Sequence, residues 1–137
     1  MKSVLAVLVS LFAFSTCSVP NLEPKSCIEA RGELKKLYSL HFDRGFDPDE
    51  RYRKDRDEYL SNRLKSSIDA GEEDYLTQTA DHPKAFRIGE CGELAERVQF
   101  EILLFWKDDS RDEQREILVD MVRDESVWKV DRVSSRE

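Results

Sequence analysis

Residues 95–107 read AERVQFEILLFWK, and apolar side chains recur in this segment at every second position. A period of two is typical of a β-strand that buries one face. The other face begins polar and turns apolar at Leu103 and Phe105, which predicts that this face is covered over part of its length. The side chains predicted to point into the core are Val98, Phe100, Ile102, Leu104 and Trp106.

Two further strands are predicted downstream of this segment. They span residues 116–123 (EILVDMVR) and 127–133 (VWKVDRV), and short polar turns separate all three strands. In the last strand, Trp128, Val130 and Arg132 are predicted to share one face. Short connections between strands of this length predict an antiparallel meander of at least three strands.

The residues before the meander have helical signals. A helix is predicted over residues 27–42, opened by a capping box of Ser26 and Glu29. A second helix, either continuous or broken near Asp55, is predicted to begin with Asp47 as its cap and to end near Gly71. Helices followed by a meander predict an α+β domain with the helices packed on one face of the sheet.

The segment between the helices and the long strand, residues 72–95, is rich in turn signals. A short strand is predicted within it at residues 84–88. Because loops carry binding and catalytic groups more often than regular elements do, we expect this segment to border any pocket.

Residues 1–18 have the tripartite pattern of a secretory signal peptide. The apolar run at residues 4–14 is shorter than the roughly 20 residues that a membrane-spanning helix needs. Small residues allow cleavage after Ser18 or after Ser15, and a third interpretation makes Cys17 a lipid-modified first residue. The pattern predicts export to the periplasm or secretion, with membrane attachment only if Cys17 is lipidated.

The rest of the chain is predicted to form an extended lead-in at 19–26 and a single α+β domain at 27–137. After cleavage at Ser18, two cysteines remain, Cys27 and Cys91, and export favours a disulfide between them. In the chain-entropy model such a long loop makes the bond worth roughly 4 kcal/mol. Two buried free thiols are the alternative.

Metal and nucleic-acid sites are not predicted. The chain has no Cys-x-x-Cys pair, and His41 and His82 lie at no ligand spacing, so neither a metal nor a cofactor is expected. The formal net charge is −7, and removal of Lys2 with the signal makes it −8. An acidic chain without a basic cluster disfavours nucleic acid and favours a basic protein partner.

The closing segment Ser126–Val133 (SVWKVDRV), together with the chain length and the order of elements, resembles the nuclear transport factor 2-like (cystatin-like cone) superfamily. More narrowly, the chain resembles small exported bacterial proteins of unknown function with that fold. The resemblance covers about residues 27–134. It implies a curved antiparallel sheet, with N-terminal helices packed on it, wrapped around a pocket. It does not imply one chemistry, because function belongs to sites and not to folds.

Enzymes with this cone usually place a carboxylate, a histidine or a tyrosine inside the pocket. The residues of those types to consider here are Tyr38, His41, Tyr59, His82 and Asp120. His41 is either a general base or a partly buried histidine at a helix end. Asp120, within an apolar strand, faces either the pocket or water on the alternate side of the strand.

Three functions are compatible with these patterns. The first is a non-enzymatic exported domain that binds a protein or a small ligand, for example an immunity-like protein that captures a basic toxin through acids at residues 108–125. The second is a small pocket hydrolase or isomerase that uses Tyr38, His41 or Asp120. The third is a structural envelope factor that dimerises through a sheet face carrying Leu103 and Phe105.

Overall fold

The computed structural model describes residues 22–68, 71 and 73–136. Its sheet has four antiparallel strands in the order β1-β2-β3-β4, so that every strand pairs with its neighbour in sequence. The strands are β1 Ala85–Leu94, β2 Arg97–Lys107, β3 Asp112–Asp124 and β4 Val127–Ser135. The predicted meander is confirmed, and the short strand predicted at 84–88 is a full-length fourth strand.

The inner face of β2 has the predicted composition. Its five alternating apolar side chains, Val98, Phe100, Ile102, Leu104 and Trp106, are all buried. They face the helices, and residues of β3 and β4 extend this apolar surface across the sheet.

The prediction for the face of β4 is wrong at one residue, Arg132, which is exposed. Asp120 of β3 pairs with Arg132, whereas the next residue of β3, Met121, pairs with Val130. Asp131 is therefore an extra residue in β4, a bulge that shifts the alternation. As a result Val133 reaches the core in place of Arg132.

Four helical segments precede the sheet. They are α1 Lys25–Leu40, a π-helical turn His41–Gly45 that continues it, α2 Glu50–Asp57 and α3 Asn62–Lys65. Of the predicted lead-in, residues 22–24 are not helical, and α1 begins at Lys25. The predicted signal segment, both cleavage positions and Cys17 lie outside the described residues.

Both predicted helix caps are wrong. The cap residue of α1 is Pro24, with no side-chain hydrogen bond, because the Ser26 hydroxyl donates to Glu93 at the end of β1. The cap of α2 is Asp49, whose carboxylate accepts the Tyr52 backbone N–H at 2.6 Å. A distant partner thus engages Ser26, whereas α2 is capped by a local contact that begins two residues later than predicted.

The second predicted helix is divided in two by the sheet. The Ser61 N–H donates to the Val130 carbonyl at 2.8 Å, and the Val130 N–H donates to the Tyr59 carbonyl at 2.8 Å. Leu60 therefore forms an isolated parallel β-bridge with Val130 of β4. The Ser61 hydroxyl then accepts the Leu64 N–H and caps α3.

A single apolar core lies between α1 and the sheet. The buried side chains of α1 are Cys27, Ala30, Leu34, Leu37 and Tyr38. The Cys27 and Cys91 sulfurs are bonded, which joins the first turn of α1 to β1 across 64 residues of sequence. Among the described residues, no helix is both long and apolar enough to cross a membrane.

Candidate functional site

A cavity of about 520 Å³ opens at the end of α1 distal to the disulfide. The π-helical turn, α2 and the segment 73–82 form its walls. That segment belongs to the turn-rich stretch in which pocket-bordering loops were predicted. The side chains that line it include His41, Phe46, Tyr52, Arg53, Asp74 and His82.

Three polar side chains form a hydrogen-bonded chain on the cavity wall. His41 Nδ1 lies 2.5 Å from the Tyr52 hydroxyl oxygen, and His41 Nε2 lies 2.5 Å from Asp74 Oδ2. An ionised carboxylate only accepts, so we assign the imidazole proton to Nε2, which donates to Asp74. In the neutral form of the ring, Nδ1 then accepts the hydrogen bond that the Tyr52 hydroxyl donates. We call Tyr52, His41 and Asp74 the relay.

The π-helical turn places His41 against α2. A π-turn widens the helix by one residue, and such turns are frequent at functional sites. The turn closes at Gly45, where an added Cβ would lie 2.0 Å from His41 Nδ1 and 2.7 Å from the Tyr52 hydroxyl oxygen. No larger residue fits between this backbone and the His41–Tyr52 hydrogen bond.

Tyr52 is fixed by the start of α2. Its backbone N–H donates to Asp49, and this hydrogen bond holds the pKa of the Asp49 carboxyl below its usual range. The side chain is only 2% exposed, and its ring centroid lies 5.9 Å from that of His41.

Asp74 is held in place by its own loop. Its Oδ1 accepts the Leu76 N–H at 3.0 Å, and its backbone carbonyl accepts the Gln78 N–H at 2.7 Å. Gln78 adopts a left-handed conformation with φ of 55° to close this turn. One carboxylate oxygen is thus used by the loop, and the other is directed to His41.

Tyr38 supports this loop and does not line the cavity. Its hydroxyl donates to the Leu76 carbonyl at 2.7 Å, and its side chain is fully buried. Burial raises the pKa of Tyr38 well above its usual range, and the nearby Asp74 carboxylate raises it further. Tyr38 therefore acts as a neutral donor that positions the loop carrying Asp74.

Aromatic rings form another side of the cavity. The Phe46 ring stacks on the imidazole of His82, with centroids 4.3 Å apart and planes inclined by 24°. Phe46 also meets His41 edge to face at 5.1 Å. His82 and Arg53 are exposed, whereas Arg56 is buried and donates two hydrogen bonds to Asp57.

Asp120 lies far from this chemistry, on the outer face of the sheet. It pairs directly with Gln99, which belongs to the polar side of β2, and the Gln99 amide donates to it at 2.8 Å. Arg97 lies 3.8 Å from its other oxygen. The side chain is on the alternate face of the strand, but its neighbours leave it only 6% exposed.

The structure thus brings two of the five predicted residues, His41 and His82, into one cavity. Tyr38 contacts the cavity loop, whereas Asp120 and Tyr59 do not line the cavity. Sequence reasoning missed Tyr52 and Asp74. Tyr52 shares helical spacing with apolar residues, which indicates core packing, and Asp74 stands in a segment without a regular pattern. No spacing rule joins either residue to His41.

A carboxylate and two sulfurs also approach one another at Glu23, Cys27 and Cys91, within 4.8 Å. The two sulfurs are joined in the disulfide, so neither is a thiolate that could bind a metal ion.

Comparisons with known proteins give structural similarity alone. No protein-family model matches the chain, and no curated protein matches its sequence. A protein of unknown function from Bacteroides thetaiotaomicron VPI-5482 superposes with a TM-score of 0.59 at 16% identity, covering 80% of this chain and 92% of that one. The Ntf2-like potential transfer protein TraM from the Gram-positive conjugative plasmid pIP501 superposes with a TM-score of 0.53 at 13% identity. It covers 83% of this chain and 98% of TraM.

The chain has the NTF2-like fold. This confirms the α+β class and the fold that the resemblance implied. At such identities the likeness shows the fold and carries no site residues across. The chemistry of this domain must therefore be argued from its own cavity.

Proposed function

We propose that this protein is an exported binding domain that takes a small polar ligand in the cavity lined by the relay. The cavity volume of about 520 Å³ carries the proposal. It falls within the 300–1,000 Å³ typical of small-molecule sites, which combine apolar walls with a few convergent polar groups. Phe46 and Ile68 supply apolar surface, and Tyr52, His41 and Asp74 supply the polar groups.

The arrangement of these groups favours a ligand with a flat part and a polar end. The stacked rings of Phe46 and His82 offer an aromatic face. Arg53 lies on the α2 side of the cavity and Glu73 on the loop side. A ligand group of either charge would therefore meet a side chain of the opposite charge. Small aromatic or conjugated molecules with a hydroxyl or carboxylate group meet both requirements.

The chain offers a direct reporter of cavity occupancy. It has two histidines, and both line the cavity. We propose to follow their imidazole signals by NMR while adding benzoate, phenol and 4-nitrophenol. Binding in the cavity shifts both signals, and Phe46→Ala weakens binding about tenfold because the stacking surface is lost.

The matched control is Val127→Ala, which removes an exposed apolar side chain at the start of β4 and leaves binding unchanged. The proposal is wrong if none of the three molecules shifts the histidine signals, or if Phe46→Ala binds as the wild type does.

Export is a second part of the proposal. The Cys27–Cys91 disulfide supports it, since such bonds persist in oxidising compartments. The intact mass of the protein from its own host tests it. We expect a chain cut after Ser18 with one disulfide; an uncut chain would contradict export, and added lipid would place the domain at a membrane through Cys17.

A protein partner captured by the acids of residues 108–125 has less support. Within this segment Glu113 pairs with Arg111 and Arg115, and Glu116 pairs with Arg136. Acids engaged in this way offer less charge to a basic partner.

A dimer through the outer face of the sheet likewise has less support. Leu103 and Phe105 are each half-buried, and the residues paired directly with Leu103 are Arg87 and Glu116. Charged side chains therefore flank the apolar surface that a dimer would need to bury.

A further inference from the structure

We infer that the relay is a proton acceptor for a ligand bound in the cavity, with Tyr52 receiving the proton from the ligand and His41 storing it. The inference rests on the proposed ligand site and goes beyond binding. It assigns a ligand class, a small molecule with an acidic O–H group or a C–H group next to a carbonyl. It also assigns a reaction class, proton abstraction.

The geometry of the relay meets the requirements of such a transfer. Two consecutive contacts of 2.5 Å join the three side chains. The His41–Tyr52 contact is buried, since the two residues are 3% and 2% exposed, and the His41–Asp74 contact is partly buried, since the Asp74 side chain is 18% exposed. Buried hydrogen bonds of this kind polarise one another, because the local dielectric constant is low.

The transfer is balanced without a cofactor. The ligand X–H bond breaks and its proton goes to the Tyr52 oxygen, while the Tyr52 hydroxyl proton goes to His41 Nδ1. Tyr52 ends as a neutral phenol, His41 becomes an imidazolium, and the ligand keeps the electron pair as an anion. The hydrogen bond from His41 Nε2 to Asp74 then becomes an ion pair.

This route avoids a tyrosinate intermediate. A free tyrosine is a much weaker acid than an imidazolium, so a Tyr52 anion beside a charged His41 would be unfavourable. A concerted transfer through Tyr52 places the positive charge on His41, where the Asp74 carboxylate stabilises it. Return of the proton to a second atom of the same ligand completes an isomerisation.

Other charged groups around the cavity set the environment of the anion. From α2, Arg53 and Arg56 line the cavity; Arg56 is paired with Asp57, so Arg53 is the cation on this element that favours a negative ligand. From the loop side, Glu73 lines it and opposes such a ligand, and His82 faces it from beyond the loop. These groups act on any bound anion, so a test of the relay must hold them constant.

The test uses 4-nitrophenol, whose phenolate and phenol forms differ in colour. The phenolate-to-phenol ratio of the bound probe is measured at a fixed pH below the midpoint of the free probe. We expect the ratio to be at least tenfold higher in the wild type than in His41→Gln, which retains both arginines but cannot accept the proton. Asp74→Asn is also expected to lower the phenolate-to-phenol ratio of the bound probe relative to the wild type.

The matched control is Asp120→Asn, the same chemical change on the outer face of the sheet, which leaves the ratio at its wild-type value. Circular dichroism checks the fold of every variant. Tyr52→Phe, which breaks the relay but keeps the ring, replaces either His41→Gln or Asp74→Asn if that variant fails to fold. Equal ratios in the wild type and in the relay variants, with the probe bound in each, overturn the relay. A probe that shifts neither histidine signal contradicts the ligand site instead.

Discussion

Gly45 is the residue on which the His41–Tyr52 hydrogen bond depends. A Cβ at this position would lie 2.0 Å from His41 Nδ1, a distance that real Cβ atoms do not adopt. Gly32, within α1, is the opposite case, because nothing lies within 4 Å of a Cβ placed there. The chain therefore contains one glycine that the cavity requires and another that it does not.

We predict that Gly45→Ala lowers the free energy of unfolding by about 2 kcal/mol, because the new methyl group separates His41 from Tyr52 and leaves buried polar groups without partners. Gly32→Ala is the control and raises it by about 1 kcal/mol, the usual gain in a helix interior. Urea unfolding of both variants measures the difference. Equal stability of Gly45→Ala and the wild type would show that the side chains do not meet as described.

At this scale the sequence predicts part of the site. His41 stands out because imidazole titrates near neutral pH, and residue type alone marks it as a candidate. Tyr52 and Asp74 become partners of His41 only through the π-turn, the Asp49 cap and the loop at residues 74–79. These features bring residues 11 and 33 positions from His41 into contact with it, and no pattern in a single sequence marks contacts at such separations.

Among the elements, the turn between β3 and β4 is conformationally strained. Glu125 and Ser126 both have positive φ, 48° and 71°, as a two-residue hairpin with the favoured twist requires. Neither residue is glycine or asparagine, so this turn costs stability. The turn of the first hairpin, at Ala95, has no positive φ.

We predict that Ser126→Gly raises the free energy of unfolding by about 1 kcal/mol, because glycine adopts positive φ without a steric penalty. Ala95→Gly is the control in the other hairpin and lowers stability, since it only adds freedom to the unfolded chain. Thermal unfolding reports both changes. A loss of stability in Ser126→Gly would contradict the turn geometry.

The bulge in β4 has a pH-dependent role. Asp131 accepts hydrogen bonds from Arg63 and from Ser61 at 2.6 Å, which joins β4 to α3. The hydrogen bond from Arg63, followed by that from Ser61, holds the pKa of the Asp131 carboxyl below its usual range. A lowered carboxyl pKa stabilises the folded state above the unfolded-state value, and this stabilisation is lost as the pH falls through the folded-state value.

Asp131→Asn should therefore cost about 1 kcal/mol at pH 7, a modest figure because Arg63 is largely exposed. The cost should begin to shrink as the pH falls below about 4, where the unfolded wild-type chain takes up a proton at this carboxyl, and should vanish once the pH passes below the lowered pKa of the folded state. Asp109→Asn, in the exposed turn after β2, serves as the control and changes stability little. Urea unfolding at several pH values gives the comparison; a pH-independent cost would contradict the prediction.

The elements themselves were largely predictable, and their ends were not. A period of two over β2 predicts the strand and its buried side chains, because burial of one face dictates that spacing. Ser26 and Glu29 form a sound capping box in sequence, but Ser26 bonds Glu93 in the sheet. Such errors arise wherever a distant partner competes with a local hydrogen bond.

At the scale of the whole molecule, the Cys27–Cys91 disulfide cross-links two distant parts of the chain. It spans 64 residues and joins the first helix to the first strand of the sheet. We predict that Cys27→Ala combined with Cys91→Ala lowers the free energy of unfolding by about 4 kcal/mol, mainly because the unfolded chain gains freedom. Guanidinium unfolding tests this, with the reduced wild type as the control; an unchanged midpoint would be the contrary result.

The fold was predictable from the order of elements, because helices followed by a meander have few ways to bury one apolar face of a sheet. The ligand class could not be predicted from the sequence, because the cavity wall is assembled from three separate parts of the chain. The solved structures share the fold with this chain, but they do not indicate the chemistry of its cavity.

The most direct test of the account is the protonation state of the His41 ring, measured by ¹⁵N NMR on the wild-type protein near pH 7. The relay predicts a neutral ring with its proton fixed on Nε2 and with Nδ1 as an acceptor, and it predicts that Tyr52→Phe disturbs the Nδ1 signal. A proton on Nδ1, or rapid exchange between the two nitrogens as in free histidine, would contradict the hydrogen-bonded chain from Tyr52 to Asp74.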